Sequence, residues 1–502
     1  MSYKWKVMIS VIFGIFMATL DTTAMNVAFP VLREQFGATL HAAQWVVSIY
    51  VLAVGITTPV AGFAADRYGI KRVYTTGLAV FVIGSLLAGI APTLEVLIAA
   101  RALKGIGAGL ALPCGLALLF RGFTKEELGF ALGVFGVALL FAPALGPVLA
   151  GVLIDHGHWR WIFFINVPIG VLGIVLSTRF LREQRTATPP TWDGWGFVLA
   201  ALGFGLALYA TSLVTERGWG NLAVAGSFTV GGLALIAFTL VELYRAPDPL
   251  FDLRLFRGRT FAIATIVGYV TVVAFFGAEF LLPVYLQALR GRTALETGLI
   301  LLPLALGAGI TMPIAGKLYD WIGPRILVLS GFALLLYNTW SLAHLSADTP
   351  IGFVVFITGV RGFALGLTVQ TPFTAAMAVV PHDAVPRASS LVTATRNLTQ
   401  AIGVALLATL LGSALPTGAR VADRTLLMRN PGASCAVRSE PSSECGAYLS
   451  GLSRAYELTF ALSLVALILG AFLPGWPGGG HAAETTLTAR EAERREMPNG
   501  VA

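Results

Sequence analysis

Apolar runs of about eighteen or more residues follow one another along almost the whole of this chain, and each is long enough to cross a hydrocarbon core of roughly 30 Å as a helix. In lipid the backbone amides have to be satisfied within the segment itself, so such runs dictate helices. Of the 502 residues 56% are hydrophobic and only 12% are charged, about half the charge of ordinary soluble domains, which excludes a soluble enzyme of this length. The expected fold is an all-α polytopic membrane protein with fourteen spans, at about 7–30, 43–65, 73–92, 94–120, 129–154, 160–179, 193–213, 221–244, 260–288, 295–316, 326–345, 351–379, 388–412 and 455–474. The N-terminal run imitates a secretory signal. It continues past Asp21 to Pro30 without a small-residue cleavage site, and is expected to be retained as the first span.

The net charge of +8 would suit nucleic acid if the bases formed one patch, but they fall in alternate short loops. Fifteen, from Arg67 to Arg387, lie in loops on the side of the N-terminus, against five (Arg33, Arg160, Arg217, Arg290 and Arg292) on the other. That asymmetry predicts a cell-membrane protein with both termini cytoplasmic and no nucleic-acid surface.

One charged turn occurs twice. Gly62, Asp66, Gly69 and Lys71 recur 254 residues later as Gly316, Asp320, Gly323 and Arg325, each set between two apolar runs, with Arg67 and Arg72 adding charge to the first copy. A repeat at a fixed offset predicts an internal duplication. It divides the chain into a six-helix bundle over 1–185, a two-helix insert and linker over 186–258, and a second six-helix bundle over 259–476 with a long outer loop at about 413–454. Residues 477–502 are expected to be a disordered cytoplasmic tail. The linker 245–257 reads as an amphipathic surface segment or as a plain polar connection. In the outer loop Cys435 and Cys445 could close a disulfide or remain free thiols, whereas Cys114 reads as a buried small apolar side chain.

Charges inside spans are costly unless they are paired or face water, so they mark function. Asp21, Arg101, Glu279, Arg361 and Arg396 stand out, with Lys104 and Glu242 nearer helix ends or able to snorkel. Asp21, Arg101, Glu279 and Arg361 lie roughly seven to eleven residues from the outer ends of their spans. They are expected to form two pseudo-symmetric acid/base pairs, Asp21 with Arg101 and Glu279 with Arg361, lining a cavity between the bundles and carrying proton coupling. The alternative is permanent structural ion pairs. Asn26, Gln44, Trp45, Tyr50, Phe275, Phe276, Tyr285, Gln287, Gln370, Arg396 and Asn397 are candidates for contact with a substrate. Aromatics with two acids suit a lipophilic cation, and the arginines suit an anion. In the fifth span Pro143 and Pro147 weaken the helix, while Gly146 and Gly151 permit close approach, which predicts a hinge. Asp155, His156 and His158 are a weak metal pattern, and no metal or cofactor is expected. Neither a phosphate-cradling loop nor a nucleophile elbow occurs, so ATP-driven transport and hydrolase chemistry have no residues to carry them.

The doubled turn resembles the signature loop of the major facilitator superfamily. The first-span run 20–30 around Asp21 and Asn26, the fourth-span Arg101, Gly105, Gly107 and Gly109, the fifth-span run 142–151 and the sixth-span entry 158–170 resemble the fourteen-span drug:proton antiporters of that superfamily. Lys104 stands where that pattern usually has Gln, and Ala150 precedes Gly151 where a Gly pair is usual. The resemblance implies a proton-coupled multidrug exporter of small amphiphilic or lipophilic compounds, cations foremost, working by alternating access, with small molecules, protons and the lipid bilayer as its partners. A dedicated exporter of an endogenous metabolite, lipid or siderophore, or a non-transporting receptor or scaffold, would share the same motifs. No docking site for a periplasmic adaptor is legible.

Overall fold

The computed structural model describes residues 2–38, 40–124, 127–156, 158–184, 191–245, 248–277, 281–346, 348–381, 384–413 and 443–475, and among them there is no strand. The first bundle comprises α1 (Tyr3–Gln35), α2 (Leu40–Tyr68), α3 (Ile70–Gly89), α4 (Leu94–Gly122), α5 (Leu128–Asp155), α6 (Trp161–Phe164) and α7 (Asn166–Phe180). The insert is α8 (Gly194–Arg217) and α9 (Leu222–Tyr244). The second bundle holds α10 (Arg259–Val272), α11 (Leu281–Val284), α12 (Ala294–Ile322), α13 (Pro324–Ala343), α14 (Ile351–Thr368), α15 (Thr371–Ala378), α16 (Val385–Ser413) and α17 (Ser443–Gly470).

Among the described residues eleven helices are long and apolar enough to cross a membrane. The three other segments expected to span are also helical. One is α5, the second is α10 with the π-helical turn Val273–Gly277 that follows it, and the third is α16, which carries Arg387, Arg396, Asn397 and Gln400. Among the described residues, two of the expected spans are interrupted by non-helical residues. The sixth is divided at Ile165 into α6 and α7. The twelfth stops at Thr368 and resumes at Thr371, where Pro372 lacks the amide that would continue the ladder.

Close packing follows the glycines. In α4, Gly105 and Gly109 face α2, where added Cβ atoms would lie 2.6 Å from the Tyr50 carbonyl oxygen and 3.0 Å from that of Val54. Gly107 faces α3, 2.6 Å by the same measure from the Gly77 carbonyl oxygen, so one helix receives two neighbours at backbone contact.

Both copies of the charged turn do the same two jobs. Gly69 (φ 98°) and Gly323 (φ 75°) adopt the left-handed backbone that starts α3 and α13, a conformation open to glycine at little cost. Gly62 and Gly316 are points of close approach to the opposite bundle. A Cβ at Gly62 would stand 2.7 Å from the Pro386 carbonyl oxygen of α16, and one at Gly316 would stand 2.1 Å from the Gly129 carbonyl oxygen of α5. The bundles therefore meet along α2–α16 and α5–α12 at the end that carries the turns.

Two expectations are corrected and one is refined. The linker ahead of α10 has the expected amphipathic surface character over Leu253–Arg257, a 3-10 helix with Arg254 and Arg257 exposed, and it is anchored just before that helix, where Leu250 and Phe251 are each 1% exposed. Phe251 meets Phe204 of α8 and Phe238 of α9 edge-on, at centroid distances of 6.2 and 5.6 Å, and its amide donates to Glu242 Oε2 at 3.3 Å. Glu242 is accordingly buried rather than snorkelling. The last helix begins at Ser443, inside the segment read as an outer loop. Cys435, Cys445's side chain, and most of the loop and tail lie outside the described residues; Cys114 is buried as expected. Phe251→Ala is expected to cost about 3–5 kcal/mol, read as a lower thermal midpoint of the purified protein.

Candidate functional site

Asp21 of α1 is fully buried, and both of its carboxylate oxygens are taken. Arg101 Nη1 donates to Oδ2, Lys104 Nζ donates to Oδ1, and Asn166 Nδ2 of α7 also donates to Oδ1, at 3.1 Å. Arg101 and Lys104 stand three residues apart on α4 and so share one helix face. Arg101 Nε donates to the Val46 carbonyl of α2 at 2.9 Å, and the guanidinium lies 4.4 Å from the Tyr50 ring centroid. The Lys104 ammonium lies between the rings of Phe81 and Phe163, at 4.8 and 5.2 Å, and has room for its stem because position 84 is a glycine. A small cavity lined by Leu20, Asp21, Ala150, Ile162 and Asn166 borders the cluster.

The expected Asp21–Arg101 pair is thus part of a triad. Lys104, expected to snorkel, is 0% exposed and paired with Asp21. Its spacing from Arg101 is the signal that could have placed it. One carboxylate between two enclosed cations leaves the cluster with an excess positive charge, held by hydrogen bonds and aromatic faces.

The second half is built differently. Arg361 of α14 donates to the carbonyls of Phe275 and Ala274 at 2.9 and 3.3 Å, within the π-helical turn Val273–Gly277, whose altered ladder presents carbonyls to a side chain. Its Nη1 also reaches Asn338 Oδ1 at 3.5 Å, while Asn338 Nδ2 is anchored on the Ile357 carbonyl at 2.6 Å. Glu279, the expected partner of Arg361, lies outside the described residues.

The two turns tie the bundles together by unlike means. Asp66 Oδ2 accepts from Arg387 Nε of α16 at 2.8 Å, and Arg387 Nη1 also donates to the Pro249 carbonyl of the linker at 3.2 Å. Asp320 instead accepts from the Gly129 and Phe130 amides at the start of α5, at 3.1 and 3.3 Å, where an anion complements the helix N-terminus. Lys71 donates to the Thr178 carbonyl at 2.7 Å, and Arg72 lies 3.8 Å from Glu183, so both hold the end of α7. Arg67 stands over the Tyr68 ring at 5.9 Å, and Arg325 is exposed.

The expected substrate-contact residues fall into several settings. Tyr50 lies under Arg101, and Phe275 is buried beside Arg361. Trp45 stacks on Tyr209 of the insert, with centroids 5.8 Å apart. Tyr285 is buried, donates to the Ser346 carbonyl at 2.7 Å and accepts from Arg290 at 3.0 Å, a bracing role. Gln287 is exposed, and Gln44 is partly exposed. Gln370 is buried between the bundles and lines a small cavity with Gly133, Met312 and Tyr319. Arg396 and Asn397 are partly exposed near the middle of α16. The side chains of Asn26, Phe276, Pro143 and Pro147 lie outside the described residues. In the expected hinge Gly146 meets Thr23 of α1, whereas Gly151 faces open space; Gly129 and Gly133 provide the backbone contact with α12.

The chain matches the Major Facilitator Superfamily over residues 11–404. It is 32% identical over 473 residues to the multidrug resistance protein B homolog of Mycobacterium tuberculosis (strain ATCC 25618 / H37Rv), covering 91% of this chain and 88% of that one. It is 27% identical over 476 residues to the lincomycin resistance protein LmrB of Bacillus subtilis (strain 168), covering 94% and 96%. Its fold is similar to that of the proton:xylose symporter XylE, with a TM-score of 0.63, 13% identity and coverage of 94% and 96%.

Proposed function

This chain belongs to the Major Facilitator Superfamily and is a multi-pass membrane transporter, and we propose that it exports small amphiphilic compounds in exchange for protons by alternating access. In this reading fourteen spans place both termini in the cytoplasm, and the two bundles over 1–185 and 259–476 rock about a site between them, with the insert 186–258 beside them. The observation that carries it is the buried Asp21 cluster. A carboxylate enclosed with Arg101 and Lys104 in the hydrocarbon layer changes its hold on both cations when a proton binds, and so couples proton entry to movement of α1 against α4. The names of the relatives, multidrug and lincomycin resistance, support export of foreign compounds. The structure described is closed at the end that carries the two turns, where Asp66 and Asp320 hold the opposite bundle.

Proteoliposomes enclosing a pH-sensitive dye test this. Lincomycin, ethidium, N-phenyl-1-naphthylamine and two amphiphilic anions, 1-anilinonaphthalene-8-sulfonate and taurocholate, are added in turn, and proton movement is expected with more than one of them. It should be weakened in Glu279→Gln, with an altered pH dependence. Binding of probes without any proton movement would overturn the exchange reading, and a response to one probe alone would identify a dedicated exporter.

A further inference from the structure

Arg396 lies eleven residues from the start of α16, about 16 Å along the helix and therefore near the middle of a membrane-spanning segment. Among the described residues no hydrogen bond or ion pair reaches its guanidinium, and the side chain is partly exposed. An arginine does not shed its charge, so a bare guanidinium at this depth calls for water or an anion.

Its direction is set by its neighbours on the helix. Ser389, about two turns earlier on the same face, donates to the Pro113 carbonyl of α4 at 3.1 Å across the bundle boundary. Ser390 lies against Gly62 of α2. The face that bears Ser389 and Arg396 therefore looks toward the first bundle, and Thr393 and Gln400, three residues before and four after, are partly exposed on it as well.

The charge balance of the two bundles points the same way. Asp21 is shared by two enclosed cations, Arg101 and Lys104. In the second bundle Arg361 and Arg396 face a sequence whose one acid expected at similar depth is Glu279. By sequence, the layer expected to hold these groups thus carries two more cations than acids. Lys104 is enclosed by Phe81 and Phe163, whereas Arg396 is partly exposed.

We propose that the exported compound bears an anionic group, a carboxylate, sulfonate or phosphate, and that Arg396 receives it in the crevice between the bundles, with Thr393 and Gln400 as neutral hydrogen-bonding neighbours. This rests on the export reading above and names its substrate class as an amphiphilic acid rather than a lipophilic cation. A guanidinium offers such a group two parallel donors, and the anion removes the cost of the uncompensated charge.

The test is fluorescence binding to the full-length purified protein. The probes are 1-anilinonaphthalene-8-sulfonate, the uncharged N-phenyl-1-naphthylamine and, as competitor, tetraphenylphosphonium. Arg396→Gln is expected to weaken the sulfonate by about tenfold or more, to leave the uncharged probe unchanged, and to keep or raise the thermal midpoint, because an unpaired cation is removed. Arg396→Lys should recover part of the loss. Equal loss of both probes, a fall in stability of Arg396→Gln, or competition by tetraphenylphosphonium that survives in the variant would overturn the assignment. Repeating the titration in vesicles of phosphatidylcholine with and without phosphatidylglycerol separates the sources of the anion. Displacement by phosphatidylglycerol that depends on Arg396 identifies a lipid headgroup, and its absence a soluble amphiphile; either keeps the anionic class. If the sulfonate binds in this manner yet no probe moves protons, the exchange reading fails and the site stands.

Discussion

Asp21→Asn should reduce proton-driven export to the level of protein-free vesicles and lower stability by about 3–5 kcal/mol, the typical cost of removing one partner of a buried ion pair. The amide keeps the size of the carboxylate, so the loss is one of charge. Arg101 and Lys104 would then face each other across a neutral group with no solvent to screen them, since all three side chains are within 1% of full burial. Lys104→Gln is expected to be far milder in stability, because it leaves Asp21 balanced by Arg101 and still bonded to Asn166. Adding Lys104→Gln to Asp21→Asn should restore much of the thermal midpoint without restoring export, which separates the structural part of the triad from coupling. An Asp21→Asn protein that exports at the wild-type rate with the same pH profile would remove Asp21 from the mechanism.

What could be read beforehand depended on whether a residue's role is local or set by its neighbours. The left-handed Gly69 and Gly323 were legible because a repeated Gly-x3-Asp-x2-Gly spacing is a local device, and the structure shows both copies making the same turn. The Asp21–Arg101 pairing was legible because two opposite charges at like depth in lipid have few other partners. Lys104 is harder to place from sequence, because depth alone, without helix phase, does not say which face a residue occupies. Its three-residue offset from Arg101 turns it inward onto α1. The docking of Phe251 is hidden by the charges around it, since Arg245, Asp252, Arg254 and Arg257 make the segment look superficial throughout while this one ring packs against α8 and α9. The stacking of Trp45 on Tyr209 of the insert has no sequence signal, since no repeat predicts where an inserted pair of helices will lie.

Gly316→Leu should trap the transporter open at the end bearing the two turns. A Cβ at Gly316 would stand 2.1 Å from the Gly129 carbonyl oxygen and 2.7 Å from its carbonyl carbon, and a Cβ at Gly129 would stand 2.2 Å from the Gly316 carbonyl oxygen. Backbone meets backbone there, so no flexible side chain can swing aside. Along the same seam Gly133 approaches the Met312 carbonyl within 2.6 Å by that measure, so α5 cannot tilt to make room without opening a second contact. Asp320 would also be drawn away from the Gly129 and Phe130 amides that it caps. Overpacking of this kind costs about 1–3 kcal/mol, which is about fivefold to somewhat over a hundredfold in the population of the closed state. Export should fall by a similar factor, while binding of a fluorescent probe persists because the Asp21 cluster and Arg396 lie on other helices. Spin labels on α5 and α12 should report a longer distance distribution than in the wild type. Gly232→Ala in α9, where a Cβ would meet nothing within 4 Å, should change neither quantity and serves as the control. Wild-type export by Gly316→Leu would mean that the cycle never passes through the α5–α12 contact described.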